Sequence, residues 1–390
     1  MSRPERKLFT PIRVGDLTLS HRVVLAPMTR LRVDANTGVI LPGVVREMYA
    51  QRASMPGTLL ISEGTLVAKK AGAYVLPVHA ELEDVISAGL KGLHAASPGI
   101  WSEEQVVAWR EVTDAVHARG SFIYCQLFGM GRAATSPELL NPDVDFDLVS
   151  ASAIPLPGET IVPRELTVDE IKEYVEFFVA AAQNAMKAGF DGVEIHGANG
   201  YLLDAFLQDT ANQRTDAYGG SPENRARFFL EVVDETVKAI GASKVGVRFS
   251  PWSEFQGMLM DDPLPTFTYA VRSLLRYPDL AFIHIVEPRI SGAMPLELNE
   301  RNAAQSNDFI RDLWRGRTLI SAGGYTRETA LERAEEEENE LVAFGRHFLA
   351  NPDLPARLVK DISLAKGDRS KYYLSTMDPE GYTSYPFSSA

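Results

Sequence analysis

Residues 189–201 read Gly-Phe-Asp-Gly-Val-Glu-Ile-His-Gly-Ala-Asn-Gly-Tyr, and the fold turns on them. Gly189 closes a helical pattern, and Asp191 and Gly192 lead into Val193-Glu194-Ile195-His196. Side chains of a strand alternate between faces, so Glu194 and His196 point one way and Val193 and Ile195 the other. The strand breaks at Gly197, and Asn199 and Tyr201 follow on an open, glycine-punctuated turn. An imidazole, a carboxamide and a phenol thus gather at the C-terminal mouth of one strand. The first two can donate hydrogen bonds to a single oxygen atom, and the third can deliver a proton.

Working outward, the same grammar of strand, glycine and helix recurs. Towards the N-terminus, residues 11–20 read as a small hairpin, and strands are expected over 23–28, 58–63 and 121–127. Helices are expected over 42–53, after Ser102 with its capping partner Gln105, and from Thr167, paired with Glu170, to Gly189. Towards the C-terminus, Ser221-Pro222 opens a helix that runs to Gly241. Strands are then expected over 244–249, 281–286, 318–322 and 341–344, with helices over 265–276, 307–314, 326–336 and 352–360. Residues 64–100 and 128–166 form long excursions, a length that usually carries function. About eight strand-then-helix units predict a (β/α)8 TIM barrel over 1–390 as one domain, with a short N-terminal hairpin and long loops on the C-terminal rim. A doubly wound open sheet is the alternative. There is no GxGxxG fingerprint, no P-loop and no repeat of fixed period visible by eye.

The chain has 390 residues, 45% hydrophobic and 23% charged, enough for a large core. A net charge of -13 argues against nucleic acid or an anionic membrane as the main partner. The single Cys125 has no partner for an internal disulfide, which favours a reducing compartment. No secretory signal or apolar run of spanning length is visible, so a cytoplasmic location is expected. Cys125 follows the strand alternation away from Gln126 and reads as packing. His21, His117 and Glu194 read as structural. No spacing of ligands suggests a metal.

In a barrel the active groups sit after the strands, on one rim. Thr29, Gln126, His196, Asn199, Arg248, Gly323-Gly324 and Gly345-Arg346 all fall there. The last two pairs follow strands seven and eight, where barrels commonly bind phosphate. Gly324 lets a backbone N–H approach closely, and Arg346 can grip phosphate oxygens in bidentate fashion.

Several blocks carry a family resemblance: LFTPIRVGDLTLSHRVVLAPMTR (8–30), QRASMPGTLLISEGT (51–65), PGIWS (98–102), CQL (125–127), GFDGVEIHGANGYLLDAFLQ (189–208), NQRTDAYGGSPENRARF (212–228), SAGGY (321–325), AFGRHFLANPDLPARL (343–358) and EGYTSYP (380–386). Together they resemble the old yellow enzyme family of FMN-dependent ene-reductases, and within it the fungal members, including those that act on ergot-alkaloid and other specialised metabolites. The resemblance implies non-covalent FMN, NADPH as hydride donor and a small α,β-unsaturated carbonyl substrate, in a monomer or homodimer. It places Pro27, Met28, Thr29, Gly64, Gln126, Arg248, Gly323, Gly324, Gly345 and Arg346 around the flavin. Thr29 matches the residue that bonds the flavin carbonyl, and Gln126 and Arg248 match groups on its pyrimidine side. His196 and Asn199 match the pair that binds the substrate oxygen, Tyr201 the proton donor, and Tyr373 an aromatic wall. Phe128-Gly129 stands where many relatives have Trp, which widens the wall of the substrate pocket at Phe128. The excursion over 69–97 is longer than in many relatives.

Two rival readings remain at this level. One is a flavin-assisted isomerase or a pathway enzyme without net reduction. The other is a flavin-binding scaffold, which would need no proton donor.

Overall fold

Alternation of inward and outward side chains organises the whole molecule. The computed structural model describes residues 6–34, 36–72, 75–76, 94–95, 97–134, 147–292, 294–297, 304–373 and 377–389. The barrel strands, in order, are Val23–Leu25, Leu59–Ile61, Phe122–Phe128, Gly192–Gly197, Val245–Phe249, Phe282–Val286, Leu319–Ala322 and Glu340–Phe344. Each pairs in parallel with the next. The eighth returns to the first with Val342 opposite Val23 and Phe344 opposite Leu25, which closes the sheet. The structure is thus a (β/α)8 barrel, not an open doubly wound sheet.

Outward-facing Val193, Ile195, Val247, Ile283 and Val342 join the large core beneath the helices, and Cys125 lies there too. Burial pushes the Cys125 thiol up to about 12, as expected of an inert packing residue. Inward-facing Val24, Leu59, Tyr124, Phe282, Ile320 and Leu341 form a second cluster inside the barrel. Its two large rings, Tyr124 and Phe282, lie 5.3 Å apart. Room for them comes from Gly192 and Gly246, where a Cβ would come within 2.3 Å of one ring or the other. Large residues on some strands facing small ones on others is how a barrel core fills.

The hairpin of Ile12–Val14 and Leu17–Leu19 is antiparallel, and Ile12, Val14 and Leu19 belong to the interior cluster. It therefore plugs the N-terminal end of the barrel.

The expected helix signals hold. Ser102 and Thr167 each make a reciprocal capping box, at the starts of Glu103–His117 and Val168–Lys187. Ser221 caps Pro222–Ile240. Two short helices were not expected from the sequence, Leu202–Leu207 and Arg346–Ala350. Both are shorter than two turns, so no apolar periodicity can announce them. Tyr201 ends the turn that begins at Ala198 and is the residue that precedes the first of these helices. The excursion over 64–100 is also not all loop, because Thr65–Leu66 pairs alongside Leu127 and Phe128. Parts of the excursions over 69–97 and 128–166, and of the loop over 289–305, lie outside the described residues. Among the described residues no helix is long and apolar enough to cross a membrane.

Candidate functional site

Inside the barrel the character of the side chains changes from one end of the strands to the other. Towards the C-terminal ends of strands three to six, apolar rings give way to Gln126, Glu194, His196, Arg248 and His284, all buried. Register explains the grouping. Gln126 lies opposite Glu194, His196 opposite Arg248, and Arg248 opposite His284. At the corresponding level the other four strands present apolar residues: Ala26, just past strand one, and Ile61, Ala322 and Ala343. The polar half of the barrel mouth is thus fixed by four adjacent strands.

Glu194 is fully buried, and both its oxygens are bonded: Gln126 Nε2 donates to Oε1 at 2.7 Å, and His284 Nδ1 lies 2.6 Å from Oε2. Burial opposes its ionisation, but His284 and Arg248 together hold the carboxyl below its ordinary range. Burial first, and Arg248 second, hold His196 well below the usual imidazole range, so its ring is neutral at pH 7.

Beyond the fourth strand the turn is held by bonds that the sequence does not announce. Asn199 adopts a left-handed backbone, φ 58, which Asn tolerates better than most residues. Its N–H donates to Ser250 Oγ at 2.8 Å. The Gly200 N–H donates to Asp204 Oδ2 at 2.8 Å, and Gln208 donates to the other oxygen at 3.0 Å. Burial pushes the Asp204 carboxyl up to about 7. These bonds deliver Tyr201 to a cluster of rings: its centroid lies 5.1 Å from that of His196 and 5.2 Å, edge-on, from that of Phe128. Burial first, and Tyr373 second, raise the Tyr201 phenol above its ordinary range, while Arg248 and a hydrogen bond to Gln256 pull it back. Tyr373, half-buried, is therefore near enough to be felt by Tyr201.

Other expected residues line the same rim. Gly64 leaves space beside Phe128 and Gln126, which a Cβ there would meet at 3.2 Å and 3.4 Å. Pro27 is buried, with Met28 and Thr29 half-buried after the first strand. Glu63 Oε2 accepts the N–H groups of Arg30 and Leu31 and so fixes that turn. A Cβ on Gly345 would come within 2.6 Å of Met28 Sδ, so the turns after strands one and eight close on each other only because residue 345 is glycine. Gly323 is half-buried, while Gly324 and Arg346 are exposed at the ends of strands seven and eight. His196, Asn199, Tyr201, Phe128, Gln126 and Arg248 are brought together, and Gly323, Gly324, Gly345 and Arg346 form a second group on the neighbouring part of the rim. Ser250, Asp204, Gln256 and His284 were missed. Only their place after or within strands could have marked them.

Three polar atoms in the first group, His196 Nδ1, Asn199 Oδ1 and Arg248 Nε, are buried with no hydrogen-bond partner among the described residues. Buried polar groups are nearly always satisfied, so such a cluster marks a place built for a polar ligand.

Residues 7–365 match the NADH:flavin oxidoreductase / NADH oxidase family. The chain belongs to that family. Within it, the chain is an old yellow enzyme of the fungal type. It is 45% identical to the chanoclavine-I aldehyde reductase fgaOx3 of Penicillium roqueforti, over 98% of this chain and 96% of the relative. It is 43% identical to the NADP-dependent oxidoreductase lnbE of Aspergillus flavus, over 98% and 96%. It is equally 43% identical to a probable inactive reductase, easA, of Epichloe festucae var. lolii, over 98% and 95%. Among solved structures, the old yellow enzyme from Pichia superposes with a TM-score of 0.84 at 33% identity, over 99% of this chain and 94% of that one. Membership of the old yellow enzymes implies non-covalent FMN and a nicotinamide nucleotide as redox partners. The site fits that cofactor: it offers unpartnered donors and acceptors, a cation at Arg248, and an exposed backbone at Gly324 with nothing packed closely over it.

Proposed function

We propose that this oxidoreductase is an NADPH-dependent ene-reductase, a single domain over 1–390, acting on small α,β-unsaturated carbonyl compounds. One observation carries the reading. Neutral His196, with its ring Nδ1 unpartnered among the described residues, stands beside a protonated, buried phenol, Tyr201, and the Asn199 amide, with Nδ2 as its donating end, follows on the same turn. FMN bound there would take hydride from NADPH and return it to the β-carbon of the unsaturated carbonyl compound.

The chain's own residues supply the rest. Gln126, Thr29 and Arg248 would hold the flavin ring, with Pro27, Met28 and Gly64 shaping its seat. Gly323, Gly324, Gly345 and Arg346 would hold its phosphate. His196 and Asn199 would donate to the substrate's carbonyl oxygen, where negative charge grows as hydride arrives; each well-placed donor is worth roughly 3 kcal/mol. His196 suits this because a neutral imidazole donates its one N–H and does not give that proton up at neutral pH. Tyr201, kept protonated by burial, would give its proton to the α-carbon. Phe128 and Tyr373 would flank the substrate. The names of the relatives support the donor and the substrate class: one is an NADP-dependent oxidoreductase and another an aldehyde reductase.

Anaerobic incubation with NADPH and 2-cyclohexenone tests this. Bleaching of the flavin by NADPH, followed by formation of cyclohexanone, is the expected result. Conversion of substrates to isomers without consumption of NADPH would favour the isomerase reading, and no conversion of any enone the scaffold.

A further inference from the structure

The mechanism above gives no role to the buried carboxylate of Glu194, which faces the same interior as His196 and Arg248. It sits below the rim, fully buried, facing into the barrel. Its neighbour in register on the fifth strand is Gly246, and its side chain reaches His284 on the sixth strand, with Oε2 2.6 Å from Nδ1. The titratable and charged groups facing it are His284 and Arg248, with His196 next along its own inward face. His284 is fully buried and burial holds it below the usual imidazole range, so it is neutral and its Nδ1–H donates to the carboxylate. Charge in this buried set therefore reduces to one anion, Glu194, and one cation, Arg248. A carboxylate is an acceptor only. Gln126 spends one of its two Nε2 N–H groups on Glu194, which fixes which way round its amide sits.

We infer that Glu194 is the counter-ion of the site, a positioning residue that tempers Arg248 and locks the Gln126 amide, and so sets how readily a bound flavin takes up electrons. The inference rests on the reading that FMN binds at this rim. A lone cation under the flavin would favour the reduced cofactor, which carries added negative charge. The carboxylate offsets that pull, which keeps the reduced state willing to give its electrons up again. Charge effects of this kind are large because water does not screen the site.

The test is the equilibrium between oxidised and reduced flavin, measured against a reference dye from pH 6 to 9, with thermal unfolding recorded in parallel. Glu194→Gln should move the equilibrium roughly tenfold or more towards the reduced form at every pH. His284→Leu removes a donor from the carboxylate and makes it easier to protonate. That variant should follow the wild type at pH 9 and approach Glu194→Gln as the pH falls. If Glu194→Gln does not hold FMN, the pH profile of His284→Leu decides alone. Variants that melt earlier but match the wild-type equilibrium at every pH would overturn the inference, as would a shift towards the oxidised form. Wild-type protein that takes up no FMN would overturn the functional reading as well, which separates the two failures.

Discussion

The N–H of Asn199 donates to Ser250 Oγ at 2.8 Å, tying the left-handed residue after the fourth strand to the end of the fifth. A side chain meant to hold one substrate oxygen is thereby anchored on two strands. Ser250→Ala should weaken binding of phenols, which mimic an enolate oxygen over the flavin, by about fivefold, the worth of one hydrogen bond near 1 kcal/mol. FMN content should stay unchanged. Replacing His196 and Asn199 together should abolish the phenol-induced spectral change altogether. Titrations that look wild-type in the double variant would remove both residues from oxygen binding.

Tyr201→Phe should separate the two halves of the cycle. Reduction of the flavin by NADPH needs no proton on a carbon atom, so it should stay near the wild-type rate. Reoxidation by an enone should slow by about 10²–10⁴-fold, the usual worth of general acid catalysis. Stopped-flow records of both halves check this. Equal slowing of the two would point to lost packing against Phe128 instead.

Arg346→Ala should loosen the flavin without unfolding the barrel, because Arg346 is exposed and its removal leaves no cavity. Loss of a charge-assisted bond to phosphate costs roughly 1.5–3 kcal/mol. Apoprotein titrated with FMN and with riboflavin, which lacks the phosphate, gives the check: only the FMN affinity should fall.

Stability should decline on mild acidification, and His21 should account for a measurable share. Its ring is fully buried; Val23 N–H donates to Nδ1 at 3.2 Å and Nε2 lies 2.9 Å from Thr58 Oγ1. Burial holds it down at about 4, against 6.5 for the free side chain. With the folded value depressed, the contribution is present above pH 6.5 and lost as the pH falls towards 4. At pH 5 the loss should be about 2 kcal/mol relative to pH 7. His21→Asn cannot take up the proton, so the gap between wild type and variant should shrink over that range in denaturant unfolding. A gap that stays constant with pH would exclude His21.

Much of this was readable from the chain. Strand periodicity placed Cys125 against the helices and Glu194 beside His196 on the inner face, because alternation is a local property of any strand. Ser102, Thr167 and Ser221 marked helix starts because a capping side chain bonds backbone only three residues away. The turn holding Asn199 was different. Its supports, Ser250 and Asp204, come from another strand and from a helix too short to show a period, so no local pattern could reveal them. Gly246 likewise reads as an ordinary strand glycine, and only the packed barrel shows that its missing side chain makes room for the Phe282 ring.

Closure of the sheet between Val342 and Val23 has a consequence for how the molecule is made. The first strand leaves the ribosome early, but the partner on its outer edge is among the last to appear. Until then that edge is an open template for any other strand, and the hairpin of Ile12–Val14 and Leu17–Leu19 has no finished barrel end to seal. Such late, long-range pairing slows folding and prolongs exposure to aggregation. Nascent chains ending before Glu340 should therefore depend on chaperones, and release from them should coincide with the arrival of the eighth strand.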